Sequence, residues 1–225
     1  MAKSDFKGKT VGWIGTGRMG YAMAERLLKA GAELSAWNRT KSKAEPLAEL
    51  GATIVDSPAE LADRDIVFTM VAGPADFVEV AKGENGVLSQ GGQTPGLLVD
   101  CTTISEEASH EVREFATSVG TSMLDAPVSG NAKVVKAGKL SIVASGAKDA
   151  YDEALPYLES IAQGVSYVGE GELARMVKIC HNVFLGVVIQ SLAEITVLAE
   201  KGGVPRHAFM DFINKSAVGS MFTAY

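Results

Sequence analysis

From residue 9 to about residue 168, short apolar runs rich in β-branched residues alternate with amphipathic stretches. That order is expected of βαβ units joined into a largely parallel sheet. Strands are predicted near 10–15, 33–37, 52–55, 65–71, 97–101, 122–125, 140–145 and 165–168. Helices are predicted over 18–30, 41–50, 58–63, 74–82, 105–119 and 148–160. The first helix shows the logic: Met23, Leu27 and Ala30 share one face, and Gly31 follows as a stop signal.

The pattern changes after Gly169-Glu170-Gly171. Residues 172–200 hold no proline, a single glycine and apolar side chains on more than one face, which predicts a helix buried on several sides. A second helix is predicted from Pro205 to about Lys215, because proline suits a first helical turn. The expected organisation is a domain over 1–168 and the beginning of a helical domain over 169–225, joined at a tight hinge at Gly169 and Gly171.

Composition changes this picture little. The chain has 225 residues, 47% of them hydrophobic and 21% charged, which suffices for a full core. Its net charge of −6 and lack of a basic tract speak against a nucleic-acid footprint. An anionic ligand would therefore be held by local geometry rather than by the overall field. Cys101 and Cys180 show neither metal-ligand nor paired spacing, so no metal and a reducing, cytoplasmic setting are expected. Residues 1–5 hold no apolar signal segment. The longest apolar run, 183–189, is well short of the roughly 20 residues a membrane span needs, so no membrane role is expected.

The first predicted strand feeds Gly15-Thr16-Gly17-Arg18-Met19-Gly20, which opens an amphipathic helix. That is the context a dinucleotide fingerprint requires. Gly15 permits the tight turn, Gly17 lets backbone approach a pyrophosphate, and Gly20 allows close helix–strand packing; the helix N-terminus stabilises the anion. The second strand ends at Asn38-Arg39-Thr40, where an NAD-binding chain usually carries an acid about 20 residues past the glycines. An arginine there can pair with a ribose 2′-phosphate, with Asn38 and Thr40 as neutral partners. NADP(H) is therefore expected ahead of NAD(H); the competing reading is a solvated arginine beside Lys41 and Lys43.

Two later blocks hold candidate chemistry. Asp125-Ala126-Pro127-Val128-Ser129-Gly130-Asn131 follows a strand. Its Ser-Gly-Asn turn offers a hydroxyl and backbone N–H groups to a carboxylate, or else caps a helix. In the long apolar helix, Lys178 and Asn182 stand four apart and share a face. A partly buried lysine can serve as a general acid/base; the alternative is a lysine that snorkels to solvent. Ser129 lacks a G-x-S-x-G elbow, so acyl transfer has no support.

Taken in order, Gly15-x-Gly17-x-Met19-Gly20, Asp100-x-Thr102-Thr103, the 125–130 block with Gly138-Lys139-Leu140, and Lys178-x-x-x-Asn182 resemble the β-hydroxyacid dehydrogenase family over nearly the whole chain. That family includes 3-hydroxyisobutyrate dehydrogenases and glyoxylate/succinic semialdehyde reductases. The resemblance implies an α/β fold: a Rossmann-type, doubly wound, mostly parallel sheet followed by an all-α C-terminal part that is incomplete in these residues. It implies hydride transfer between NADP(H) and a small 3-hydroxy acid or semialdehyde, a carboxylate substrate. Lys178 would move the proton, Asn182 would orient it or the substrate, and Ser129, Gly130 and Asn131 would hold the carboxylate. Val71, Ala72 and Thr103 would line the path from adenosine to nicotinamide. A homodimer or homotetramer through helix 172–200 is implied, as is a further run of helices that supplies a second lysine.

The chain departs from the family pattern at Ala72, Asn131, Val135 and His181, which bears on the substrate more than on the reaction. Two alternatives remain: a non-catalytic NADP(H)-binding protein of this fold, and an imine reductase, a group that resembles this family but usually replaces the lysine.

Overall fold

The computed structural model describes residues 6, 8–220 and 223, which fall into two compact units, Met1–Lys178 and Ile179–Tyr225. In the first unit, strands β1 (Thr10–Ile14), β2 (Glu33–Trp37), β3 (Thr53–Ile54), β4 (Ile66–Thr69), β5 (Leu97–Asp100) and β6 (Ser122–Asp125) form one sheet in the order β3-β2-β1-β4-β5-β6. All its pairings are parallel. The order reverses between β1 and β4, and beyond the C-terminal ends of strands at such a switch point α/β sheets bind their ligands.

The alternation of side chains along each strand divides the core between two faces. Trp13 and Phe68 point into one, where their rings stack at 5.5 Å and Tyr157 lies 6.0 Å from Phe68. Helices α1 (Arg18–Ala30) and α5 (Lys148–Ile161) cover that side through Met23, Leu27, Ala154 and Leu158. Ile14, Val67 and Leu98 point into the other, covered by α2 (Pro74–Lys82) and α3 (Glu106–Ser118) through Phe77, Val80 and Val112. Burial on both faces is why these strands read as near-continuous apolar runs.

Three features differ from the sequence-based expectation. The stretch 41–50 is not one α-helix but two 3-10 segments, Lys41–Lys43 and Glu45–Leu50, because Pro46 has no N–H to continue a helical ladder. The segment expected over 58–63 is likewise a 3-10 turn, Pro58–Leu61, started by a capping box between Ser57 and Glu60. The strands expected near 140–145 and 165–168 leave the main sheet. They are β8 (Ser141–Ala144) and β9 (Gly164–Tyr167), and with β7 (Val128–Ser129) they form a second sheet in the order β7-β8-β9. In it β7 runs antiparallel to β8. Asp125 and Ser145 exchange backbone hydrogen bonds, each 2.9 Å, and so stitch the two sheets together.

Helix α6 (Leu173–Lys201) starts in the first unit and supplies most of the second, which is completed by α7 (Arg206–Lys215). The expectation that this helix is buried on several sides is not met: Val183, Phe184, Val187, Ile189 and Leu198 are exposed, Phe184 by 68% and Leu198 by 70%. Within the second unit α7 meets the helix where the Thr196 hydroxyl lies 3.8 Å from Met210 Sδ and Arg206 pairs with Glu200, and a single packed helix covers one face of its neighbour. By length and mean hydropathy alone, α6 is also long enough to cross a membrane. No unbroken apolar run in the sequence reaches that length because His181, Asn182 and Gln190 interrupt it, yet the surrounding aliphatic residues keep the helix's mean hydropathy high.

Candidate functional site

The glycine loop joins β1 to α1. The Gly15 N–H donates to Trp37 O at 2.9 Å, which closes the turn against the end of β2. Gly15 has φ +96°, and an added Cβ would stand 2.3 Å from Met70 O, so only glycine fits. At Gly20 a Cβ would stand 2.0 Å from Gly15 O, the carbonyl that also accepts from Trp13 Nε1 at 2.9 Å. Helix α1 therefore packs on the turn without any intervening side chain. No side chain caps its N-terminus at Gly17 and its first turn carries no acid, so its leading N–H groups face outward as an anion site.

A cleft of about 520 Å³ opens over this loop, a size that suits a small-molecule or cofactor site. Gly15, Gly17, Arg18, Met19 and Gly20 form its floor. Asn38, Arg39 and Thr40 stand at the end of β2, and Val71 and Ala72 at the end of β4. Thr16 is 3% exposed, and its hydroxyl has no hydrogen-bond partner among the described residues. The uncapped N-terminus of α1 opens onto the cleft at Gly17, where no side chain intervenes, and such a terminus fits a pyrophosphate. The residues present thus fit a dinucleotide.

Asn38 does more than line the cleft. Its Oδ1 accepts from Thr16 N at 2.8 Å and its Nδ2 donates to Thr40 O at 2.9 Å, so it ties the glycine loop to the end of β2. The Arg39 side chain is 78% exposed and Nη1 donates to Asp76 Oδ1, 2.7 Å away in the first turn of α2. Asp76 and Lys43 line the same cleft. An anion arriving at Arg39 therefore meets a guanidinium already engaged with a carboxylate.

The remaining candidates lie elsewhere. Thr103 is exposed and outside the cleft lining, whereas its buried neighbour Thr102 accepts from Val71 N through Oγ1 at 3.1 Å. Ser129 ends β7, and Gly130 follows with φ +142°. Asn131 is the N-cap of a short helix, α4 (Ala132–Lys136): its Oδ1 accepts from Lys133 N at 3.0 Å and Val134 N at 3.1 Å. Of the two sequence readings of this turn, the helix cap is thus realised in the structure. Lys178 is half-buried, and burial pulls its pKa below the ordinary lysine range. It has no hydrogen bond or ion pair among the described residues. Asn182 is exposed in the second unit, with Oδ1 3.4 Å from His181 Nδ1.

The sequence reading overlooked a buried ionic group one turn before Lys178. Arg175 is 2% exposed. Its Nη2 donates to Asp100 Oδ2 at 2.6 Å and Asp125 Oδ1 at 2.8 Å, its Nη1 to Thr102 O at 2.6 Å, and its Nε to Ser109 Oγ at 3.3 Å. Burial opposes charging of Arg175, but Asp100 and Asp125 outweigh it and raise its pKa. Asp100, wholly buried, is pushed up by desolvation against the pull of Arg175 and of the Thr69 hydroxyl, which donates at 2.6 Å. Arg113 Nη2 supplies Asp125 Oδ2 with a second cation at 2.8 Å. Removing one partner from such a buried pair costs about 3–5 kcal/mol. One signal was present in the sequence: a cation in the first turn of an apolar helix opposes the helix dipole and needs a partner. Cys101, next to Asp100, is buried, and desolvation raises its thiol pKa far above the usual range, which leaves it inert.

Comparison with known proteins agrees with this geometry. Residues 10–169 match the family described as the NAD binding domain of 6-phosphogluconate dehydrogenase. Glyoxylate/succinic semialdehyde reductase 2, chloroplastic, of Arabidopsis thaliana is 34% identical over 94% of the chain. The chain spans 59% of that relative's length. Among solved structures, Mycobacterium tuberculosis 3-hydroxyisobutyrate dehydrogenase with L-serine is 30% identical, with a TM-score of 0.85 over 95% of this chain and 72% of its own. An imine reductase from Myxococcus stipitatus in complex with NADP+ is 25% identical, with a TM-score of 0.77 over 91% of this chain and 72% of its own.

Proposed function

The chain belongs to the 3-hydroxyisobutyrate dehydrogenase and glyoxylate/succinic semialdehyde reductase family, and from that premise we propose that it is an NADP(H)-dependent reductase of small semialdehydes that also oxidises the matching 3-hydroxy acids. The observation that carries this reading is the state of Lys178: half-buried, unpaired among the described residues, with its pKa lowered by desolvation. A lysine whose pKa is lowered by burial gives up its proton more readily than an exposed one, the direction a general acid/base needs.

Bound NADP(H) supplies or takes up the hydride. In reduction, Lys178 Nζ gives its proton to the carbonyl oxygen; in oxidation, neutral Nζ takes the proton from the hydroxyl. Asn182 orients this exchange. The Ser129 hydroxyl and the turn through Gly130 and Asn131 hold the substrate carboxylate, while Val71, Ala72 and Thr103 would line the path from adenosine to nicotinamide. Arg39 supports NADP(H) over NAD(H), because it stands at the end of β2 where a ribose-binding acid is absent. The solved imine reductase with NADP+ supports the same cofactor for this fold. The exposed apolar face of α6 favours a homo-oligomer built on that helix.

The test is a panel of small semialdehydes with NADPH and NADH, run on the wild type and on Lys178→Ala. We expect turnover with NADPH that falls about 10²–10⁴-fold in the variant, the usual worth of a general acid/base, with NADPH binding kept. Undiminished turnover in Lys178→Ala removes the lysine from the mechanism. Tight NADPH binding without turnover on any member of the panel replaces the reductase with a cofactor-binding protein.

A further inference from the structure

Helix α6 begins at Leu173, and within its first turn Arg175 enters a fully enclosed polar cluster. The partners come from four places: Asp100 at the C-terminal end of β5, Asp125 at the C-terminal end of β6, the Thr102 carbonyl after β5, and Ser109 on α3. A guanidinium is planar and offers its donors in a fixed fork, so four acceptors on three elements leave it one position and one orientation. The Ala174 N–H donates to Ser145 Oγ at 2.9 Å and fastens the same turn to the end of the second sheet.

The cluster reaches the cofactor cleft. Thr102 Oγ1 accepts from the N–H of Val71, which lines the cleft, and Thr102 O accepts from Arg175. Thr69, Thr102 N–H and Arg175 all converge on the Asp100 carboxylate. One continuous hydrogen-bonded path thus runs from the wall of the cleft to the first turn of α6. Lys178 follows Arg175 by three residues, a rise of about 4.5 Å along the same helix.

We propose that Arg175 is a positioning residue for the reaction: by locking the first turn of α6 onto Asp100, Asp125 and Thr102, it sets the place and the desolvation of Lys178 relative to the C-terminal edge of the sheet. This rests on the reading of Lys178 as the proton-transfer group. The other charged groups at the cluster are Arg113, which pairs with Asp125 and Glu172, and His110, 3.5 Å from Glu172. They brace the rim, whereas Arg175 alone joins both buried carboxylates to the helix that carries Lys178. Burial explains why the cluster holds its geometry, since a charge with no water to turn to keeps its partners.

The experiment uses the full chain with Arg175→Lys and Ser109→Ala beside Lys178→Ala. Arg175→Lys keeps the charge but loses the fork; Ser109→Ala removes the longest of the four bonds to Arg175, at 3.3 Å, together with the 3.0 Å bond that Ser109 Oγ donates to Asp125 Oδ1, and leaves the guanidinium's other three bonds in place. Steady-state turnover is measured across pH, with NADPH affinity and melting temperature read on the same samples. In Arg175→Lys we expect turnover to fall 10-fold to 100-fold, NADPH affinity to stay within about 3-fold, and the pH limb assigned to Lys178 to move. Ser109→Ala should show the same movement in smaller measure, with turnover down 2-fold to 10-fold, and it decides the matter if Arg175→Lys does not fold. Turnover that falls only with the folded fraction, on an unmoved pH limb, overturns the proposal and leaves Arg175 as a structural brace. If Lys178→Ala itself keeps wild-type turnover, the underlying reading fails first, and the two failures are told apart.

Discussion

Replacement of Gly20 by alanine tests how closely α1 packs on the cofactor turn. The new Cβ would lie 2.0 Å from Gly15 O, while an ordinary carbon–oxygen contact needs about 3.3 Å. The carbonyl or the helix must therefore move by roughly 1.3 Å, in an interior packed as densely as an organic crystal. Overpacking of this kind costs about 1–3 kcal/mol. The same carbonyl accepts from the buried Trp13 Nε1 at 2.9 Å, and an indole N–H left unsatisfied costs a further ~1–3 kcal/mol. Alanine's better helix propensity returns about 1 kcal/mol at most. The net loss is about 1–5 kcal/mol, a fall in melting temperature on the order of 10 °C for a chain of this size. The control is Gly17→Ala, where an added Cβ meets nothing within 4 Å and φ is −63°. Its melting temperature should match the wild type while NADPH binding weakens, because the side chain enters the space a pyrophosphate needs. Thermal melts by circular dichroism with parallel NADPH titrations check both variants. A Gly20→Ala protein that melts with the wild type, or a Gly17→Ala protein that loses as much stability, would refute the packing argument.

Three other outcomes follow from the site. Arg39→Asp should weaken NADPH about 10-fold to 100-fold, the worth of hydrogen bonds to a charged group, and leave NADH within a few-fold; equal losses for both cofactors in direct titration would remove Arg39 from the 2′-phosphate. Asp76→Asn releases Arg39 from its ion pair, and since such exposed pairs are worth about 0–1 kcal/mol, NADPH should bind up to about 5-fold tighter, with a melting temperature lower by no more than a few degrees. Weaker binding would show that Asp76 assists rather than competes. Asp65 Oδ2 accepts from Thr10 N at 2.7 Å and from its hydroxyl at 2.8 Å, which holds its pKa below the ordinary carboxylate range. A lowered folded pKa stabilises above the unfolded value of about 3.9 and loses that contribution as pH falls through the folded one. Asp65→Ala should thus melt lower than the wild type at neutral pH, and the gap should narrow in acid; a gap independent of pH would refute the ionic origin.

The parts of this protein legible from the amino-acid order are those decided by neighbours a few residues apart. The run from Gly15 to Gly20, the apolar period of α1, and the stop at Gly31 are local facts, because turn geometry, helix spacing and left-handed backbone depend on residues within a turn of one another. The doubly wound sheet follows from the alternation of such segments and from the right-handedness of their crossovers. Arg39 at the end of β2 was legible for the same reason, being a position counted along the chain from the glycines.

Only the tertiary structure could bring Arg175 to Asp100 and Asp125, its partners 75 and 50 positions away, because ion pairing depends on distance in space and the chain order does not record it. The same holds for the departure of β8 and β9 into a second sheet, since a short apolar strand carries no mark of which neighbour it will pair with. Asn131 could hold a ligand or cap a helix by its residue type alone, and the folded backbone placed Lys133 N and Val134 N on its oxygen. Lys178 shows both levels at once: its spacing from Asn182 is written in the sequence, while the burial that lowers its pKa is a property of the surrounding atoms, and desolvation exists only once they are in place.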